Sequence, residues 1–167
     1  EGALTLLTTE GDDTLIEGDA LGRTVILAQG NLDRVFQIAT QSAPLAPTFT
    51  PRGLITLRNL TFRGGRSPDD CGGVQVSTCF DDPVGPSVTV TTRTSCRSPH
   101  DVHLKNVTIE DNQARTSAGG LCVRPTTYSS WNYITNGFAG NVVLMNVTVR
   151  NNVAGTNAGG IEYAASE

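Results

Sequence analysis

The sequence is short of the residues that most often announce a function. Its 167 residues include one lysine, Lys105, and one methionine, Met145, and only 5% are aromatic. Basic residues form no cluster and the net charge is −4, so nucleic acid, which demands a concentrated positive footprint, is not an expected partner. No apolar run approaches the roughly 20 residues that cross a bilayer, so no membrane span is expected in this segment. None of the four cysteines, Cys71, Cys79, Cys96 and Cys122, lies at Cys-x-x-Cys spacing from another, which speaks against a zinc or redox site. An even number gathered in about a third of the chain points instead to two disulfides formed in an oxidising compartment. Three pairings are possible and the sequence does not choose among them. The chain opens on Glu1 with neither a start methionine nor a signal peptide, as expected of a mature product or a piece of something longer.

What is present is the vocabulary of strands and turns: Thr, Val, Asn and 18 glycines. The decisive feature is internal repetition. The stretches 54–62, 101–109 and 142–149 align on Asn59, Asn106 and Asn146, each followed by hydrophobic-Thr-hydrophobic. Thirteen residues after each Asn stands Gly-Gly, at 72–73, 119–120 and 159–160, and then a short alternating stretch. The apolar spacing is 2, and β-branched residues dominate, so a helical reading fails. Each unit is too small to bury its own apolar side. Stacking units about 4.8 Å apart would let each strand bond to its equivalents above and below.

The expected fold is therefore all-β, a right-handed single-stranded parallel β-helix of four to five rungs. Residues 54–163 form the regular repeats and 1–38 the irregular N-terminal rungs, with strands at 24–27 and 34–38 and a further one at 14–18. Alternation turns Val74, Val76, Val102, Leu104, Val107, Ile109, Leu121 and Val123 inward. Asn59, Asn106 and Asn146 sit at corners, where Asn tolerates the left-handed conformation, and their side chains form a ladder. The Gly-Gly pair marks another tight corner, and 111–112 and 151–152 a further polar one. Inserts near 39–53, 77–100 and 124–140 all leave after the Gly-Gly strand and so emerge on one side. Cys122 is expected to point outward and to tether the insert holding Cys79 and Cys96.

These motifs resemble the polymorphic outer-membrane-protein repeats, marked by Gly-Gly-Ala-Ile and Phe-x-x-Asn tetrapeptides. Gly72-Gly-Val-Gln, Gly119-Gly-Leu-Cys and Gly159-Gly-Ile-Glu answer to the first. Ile109-Glu-Asp-Asn112 and Val149-Arg-Asn-Asn152 answer to the second, while Phe62-Arg-Gly-Gly65 keeps the Phe and loses the Asn. The resemblance covers residues 54–163. It implies a pectin-lyase-like β-helix in a surface-exposed adhesive or structural role, not an enzyme.

Asn59-Leu-Thr, Asn106-Val-Thr and Asn146-Val-Thr are N-glycosylation sequons. Because all three share one repeat position, the favoured reading is a corner ladder with side chains turned inward, Asn59 being the first exception. Asp101 and His103 offer two metal ligands on one strand. Without a clustered third they mark a solvated face, and no metal is expected. The doublets Asp12-Asp13, Asp69-Asp70 and Asp81-Asp82 lack calcium-loop spacing and read as turns.

The rival is a carbohydrate-binding or polysaccharide-cleaving β-helix. The pectinase-type catalytic sets do not occur here, and a hydrolase needs two carboxylates facing each other across a sugar. In regular positions only Glu110-Asp111 and Glu162 are acidic, with little positive charge nearby. No enzyme activity and no cofactor are expected. The expected role is an extracellular scaffold of a cell wall or ciliary-hair-like filament, partnered by copies of itself, neighbouring protein chains or glycans through its inserts and open ends.

Overall fold

The structure, a computed structural model, describes residues 3–8, 13–28, 33–41, 53–80, 100–124 and 141–163. Among them there are strands and turns but no helix. The strands are β1 (Leu4–Thr8), β2 (Thr14–Glu17), β3 (Thr24–Leu27), β4 (Phe36–Gln41), β5 (Gly53–Arg63), β6 (Arg66–Ser67) and β7 (Val74–Phe80). They continue as β8 (His100–Glu110), β9 (Gln113–Ala114), β10 (Leu121–Arg124), β11 (Val142–Arg150), β12 (Val153–Ala154) and β13 (Ile161–Tyr163).

All pairings are parallel, and they form three sheets. Sheet A runs β1-β4-β7-β10-β13, sheet B runs β2-β5-β8-β11 with β3 also on β5, and sheet C runs β6-β9-β12. From β5 onward the chain visits sheets B, C and A in that order three times. Each visit is one unit: β5–β7, β8–β10 and β11–β13. Every unit adds one strand to each sheet, in register with the unit before. The segments that the sequence marks as inserts connect sheet A back to sheet B, and residues 42–52, 81–99 and 125–140 of them lie outside the described residues.

The register puts like on like. Ile55 pairs with Val102, Leu57 with Leu104, Leu60 with Val107 and Phe62 with Ile109. In sheet A, Val74 pairs with Leu121 and Val76 with Val123. All of these side chains are buried in one core, with Phe36 and Ile38 beneath the first unit. The Phe36 and Phe62 rings pack at 5.4 Å, tilted by 50°. Within β5 the inward positions run 55, 57, then 60 and 62, so the alternation skips a step at Asn59. The skip has a local cause: Asn59 holds φ at 57°, and Asn106 and Asn146 hold 53° and 52°. A left-handed residue bends the strand and resets which face points inward.

The glycine pairs do a different job from the one expected of them. None of the six has positive φ; the left-handed residues at that corner are Cys71 and Ala118, each just before its pair. What the pairs supply is space. A Cβ on Gly73 would land on the carbonyl oxygen of Gly120, and one on Gly119 on the carbonyl oxygen of Val153. The corner residues of successive units stack backbone on backbone, with no room for a side chain between them.

The N-terminal strands follow the same plan less regularly. β2 lies on the first half of β5 and β3 on the second, so residues 18–23 replace the single corner Asn. There the Asp19 carboxylate accepts the Arg23 N–H at 2.6 Å and holds the turn. β1, which the sequence reading did not place, pairs with β4.

Leu104 is wholly buried, while Leu144, at the same register one unit on, is 40% exposed. Leu104→Ala should therefore cost about 2–5 kcal/mol in urea denaturation, and Leu144→Ala clearly less. Equal costs would mean that the third unit is as deeply buried as the second.

Candidate functional site

The corner asparagines form a chain of side-chain hydrogen bonds along the stack. Asn146 Nδ2 donates to Asn106 Oδ1 at 3.0 Å, and Asn106 Nδ2 donates to Asn59 Oδ1 at 3.1 Å. The run ends on Glu17, whose Oε1 accepts from Asn59 Nδ2 at 3.4 Å. The expectation that these side chains turn inward is corrected. Asn106 and Asn146 are exposed and Asn59 is half-buried. The left-handed bend directs the corner side chain away from the core, which Leu57 and Leu60 fill from either side. The sequon asparagines thus stand on the outer edge.

A second asparagine run is the buried one. The sequence marks 111–112 and 151–152 only as a polar corner, yet Asp111 and Asn151 take the left-handed conformation there, and Asn112 turns inward with 1% exposure. Its Oδ1 accepts the Gly65 N–H at 2.9 Å, and its Nδ2 donates to the Phe62 carbonyl at 3.3 Å and to Asn152 Oδ1 at 2.9 Å. The Asn112 backbone N–H also donates to Asn152 Oδ1, at 3.0 Å. In turn Asn152 Nδ2 donates to the Ile109 carbonyl at 2.9 Å. Each side chain satisfies backbone groups of the preceding unit that the corner would otherwise leave unpaired inside the core. The signal for this ladder in the sequence is the second Asn of each 111–112 and 151–152 pair.

Outside the core, one register position carries charges of alternating sign. Arg63, Glu110 and Arg150 are cross-strand neighbours in β5, β8 and β11. Glu110 lies 3.7 Å from Arg63 and accepts from Arg150 Nε at 2.8 Å. Arg63 also donates from Nε to Asp111 at 2.9 Å. That hydrogen bond, the larger cause, and the neighbouring positive charges hold the Asp111 carboxyl below its ordinary value. The acids at 110 and 111 are therefore engaged in joining layers.

Cys71 and Cys122 form a disulfide between adjacent units. Cys122 faces away from the aliphatic core, but it is fully buried against Cys71 and Ala118. The expectation that it tethers the insert with Cys79 and Cys96 is corrected: its partner is Cys71, at the left-handed corner one unit below. The bond spans 51 residues of sequence, a loop whose closure lowers unfolded-chain entropy by about 4 kcal/mol. Cys96 and the side chain of Cys79 lie outside the described residues.

The other candidates hold the fold together locally. Asp13 Oδ1 accepts the Leu54 N–H at 2.8 Å, and Asp70 Oδ1 accepts from the Thr116 hydroxyl and from the Ser117 N–H. Asp101 Oδ1 accepts the Asn141 N–H at 2.7 Å; it and His103 are half-buried, and His100 is buried. Among the described residues no three His, Cys, Asp or Glu side chains gather as a metal site. Asp12, Asp81 and Asp82 lie outside the described residues.

The remaining surface of interest is the end of the stack. Inward-facing Leu144, Ile161 and Tyr163 are 40%, 44% and 66% exposed, whereas their counterparts Leu104, Leu121 and Val123 reach at most 4%. At the other end, Leu4 is 57% exposed over a buried Phe36. Both ends also present edge strands that pair on one side only among the described residues. Comparison of the chain with family models, with curated proteins and with solved structures gives no match.

Two measurements probe the polar ladders. Asn112→Ala should destabilise the chain by about 1–3 kcal/mol for each buried partner orphaned, whereas Asn106→Gly, which keeps the left-handed corner, should stay within about 1 kcal/mol. Equal losses would show that burial does not separate the two runs. For Asp111 the sign follows from its lowered pKa: the stabilisation is fully present above the ordinary carboxylate value near about pH 4 and is lost as pH falls through the lower folded value. Thermal melts of Asp111→Asn should accordingly depend less on pH than the parent below about pH 4; an unchanged acid limb would remove the Arg63–Asp111 pair as its cause.

Proposed function

We propose that this chain is a segment of a right-handed, single-stranded parallel β-helix of four to five rungs, acting as an extracellular structural or adhesive scaffold. The reading makes it a rigid rod element of a cell-surface or filament-forming glycoprotein, akin to the polymorphic outer-membrane-protein repeats. The single observation that carries it is how the polar side chains are used. The two asparagine runs and the Arg63–Glu110–Arg150 series all join one unit to the next. Such groups build length, and the stack is open at both ends.

A disulfide between units suits an oxidising, extracellular setting. The exposure of the sequon residues Asn106 and Asn146 supports the glycoprotein part of this reading. Partners are then neighbouring protein chains, other copies or glycans, met through the open ends and through the side from which sheet A returns to sheet B.

Electron microscopy of the native assembly, with its mass measured, tests this reading. Elongated particles with an axial repeat of about 4.8 Å per strand are expected. A compact, strictly monomeric native particle that cleaves a polysaccharide would replace the scaffold with the enzymatic rival.

A further inference from the structure

The face at the end of the third unit repeats, group for group, the faces inside the stack. Inward it offers Leu144, Ile161 and Tyr163, part-exposed where their counterparts are covered. At its corner, Asn146 donates to Asn106, but its own Oδ1 accepts nothing among the described residues, although Asn106 Oδ1 and Asn59 Oδ1 each accept from the unit above. The Asn152 N–H likewise finds no acceptor there, while the equivalent Asn112 N–H donates to Asn152 Oδ1. Arg150 meets Glu110 on one side only.

Glycine supplies an independent sign. Gly73 and Gly120 must be glycine because the carbonyl of the next unit occupies the place of a Cβ. At Gly160 that place is open, the nearest atom being Val149 Cγ1 at 3.8 Å, and its φ is not positive. Nothing in the third unit itself requires a glycine there, whereas a covering unit would.

We infer that this face is an interaction surface for one further parallel-strand unit of defined chemistry: aliphatic inward positions, an asparagine over Asn146, a carboxylate over Arg150 and a backbone carbonyl over Gly160. This inference rests on the scaffold reading and names the partner that its open end takes. The N-terminal end of a second copy fits less well. Its register equivalents put Gly18 over Asn146, because Gly18 N already bonds Arg58 O where the corner Asn should be, and put Leu27 over Arg150. The asparagine run also terminates there on the Glu17 carboxylate. The N-terminal layer thus lacks the asparagine and the carboxylate that the face of the third unit calls for.

The test joins a second copy of residues 81–124, carrying Cys96→Ser and Cys122→Ser, to residues 1–163, which supplies Asn106 and Glu110 at the required positions. The extended chain should unfold in one transition, with its melting midpoint raised by about 5 °C and the added segment resistant to protease. Glu110→Lys in the added copy should reduce that shift. Gly160→Val should leave the unextended chain's midpoint unchanged and abolish the shift in the extended one. An added segment that is cleaved freely in every version overturns the inference. If the unextended chain instead self-associates as its concentration rises, and Gly160→Val stops it, the occupant is a second copy. The partner chemistry named above then fails while the scaffold reading stands. If neither extension nor association occurs and native particles are monomeric, both fail together.

Discussion

Everything in this structure depends on parallel backbone pairing between successive units at a separation of about 4.8 Å. Among the described residues no unit pairs its own strands with one another; β5 pairs with β2, β3 and β8, and β8 with β5 and β11. The sheet hydrogen bonds of one layer are therefore made to another layer, and a lone unit would bury neither its amides nor its aliphatic side. That spacing also dictates residue type at the corners. Where two backbones stack directly, as Gly73 does under Gly120, a Cβ has nowhere to go. Where a corner must turn within one residue, asparagine takes positive φ.

The polar groups follow from the same constraint. A corner interrupts the sheet ladders and would leave amides and carbonyls unpaired in the interior. Asn112 answers this by spanning from Gly65 N and Phe62 O in one layer to Asn152 in the next. An exposed corner has water available, so the outer run through Asn59, Asn106 and Asn146 matters less for stability than for register. The alternation of Arg63, Glu110 and Arg150 arises because like charges directly opposite in a sheet repel. Only Glu110 among them is well buried, so surface screening limits what the outer arginines contribute.

Much of this was legible in the sequence, and the parts that were not have physical reasons of their own. Period-two alternation identified Val74, Leu104, Val107 and Leu121 as inward, because side-chain direction in a strand is fixed by parity alone. The corner asparagines were legible from their spacing. Their outward direction was not, since parity fails at a left-handed residue and only the Leu57-to-Leu60 skip reveals it. Glycine in a repeat suggests conformational freedom, whereas here it marks steric exclusion by the next layer. Both uses leave the same letter in the sequence. The Cys71–Cys122 bond depends on a contact between layers, which spacing along the chain does not encode. β1 was missed because Leu4–Thr8 has no copy elsewhere against which to align it.

A stack held by nearest-neighbour terms treats its end layer differently from its interior ones. The third unit has the composition of an interior layer and the surroundings of an end layer. Leu144, Ile161 and Tyr163 remain partly in contact with water although their register positions are buried one layer down. Covering them would return apolar area from water at roughly 25 cal/mol per Å², and the edges of β11 and β13 would gain the partners that every inner strand has. The irregular N-terminal layer differs: a turn stands in place of the corner asparagine, and Glu17 accepts from the run of amides. The first and third layers therefore differ in their polar groups as well as in their exposure.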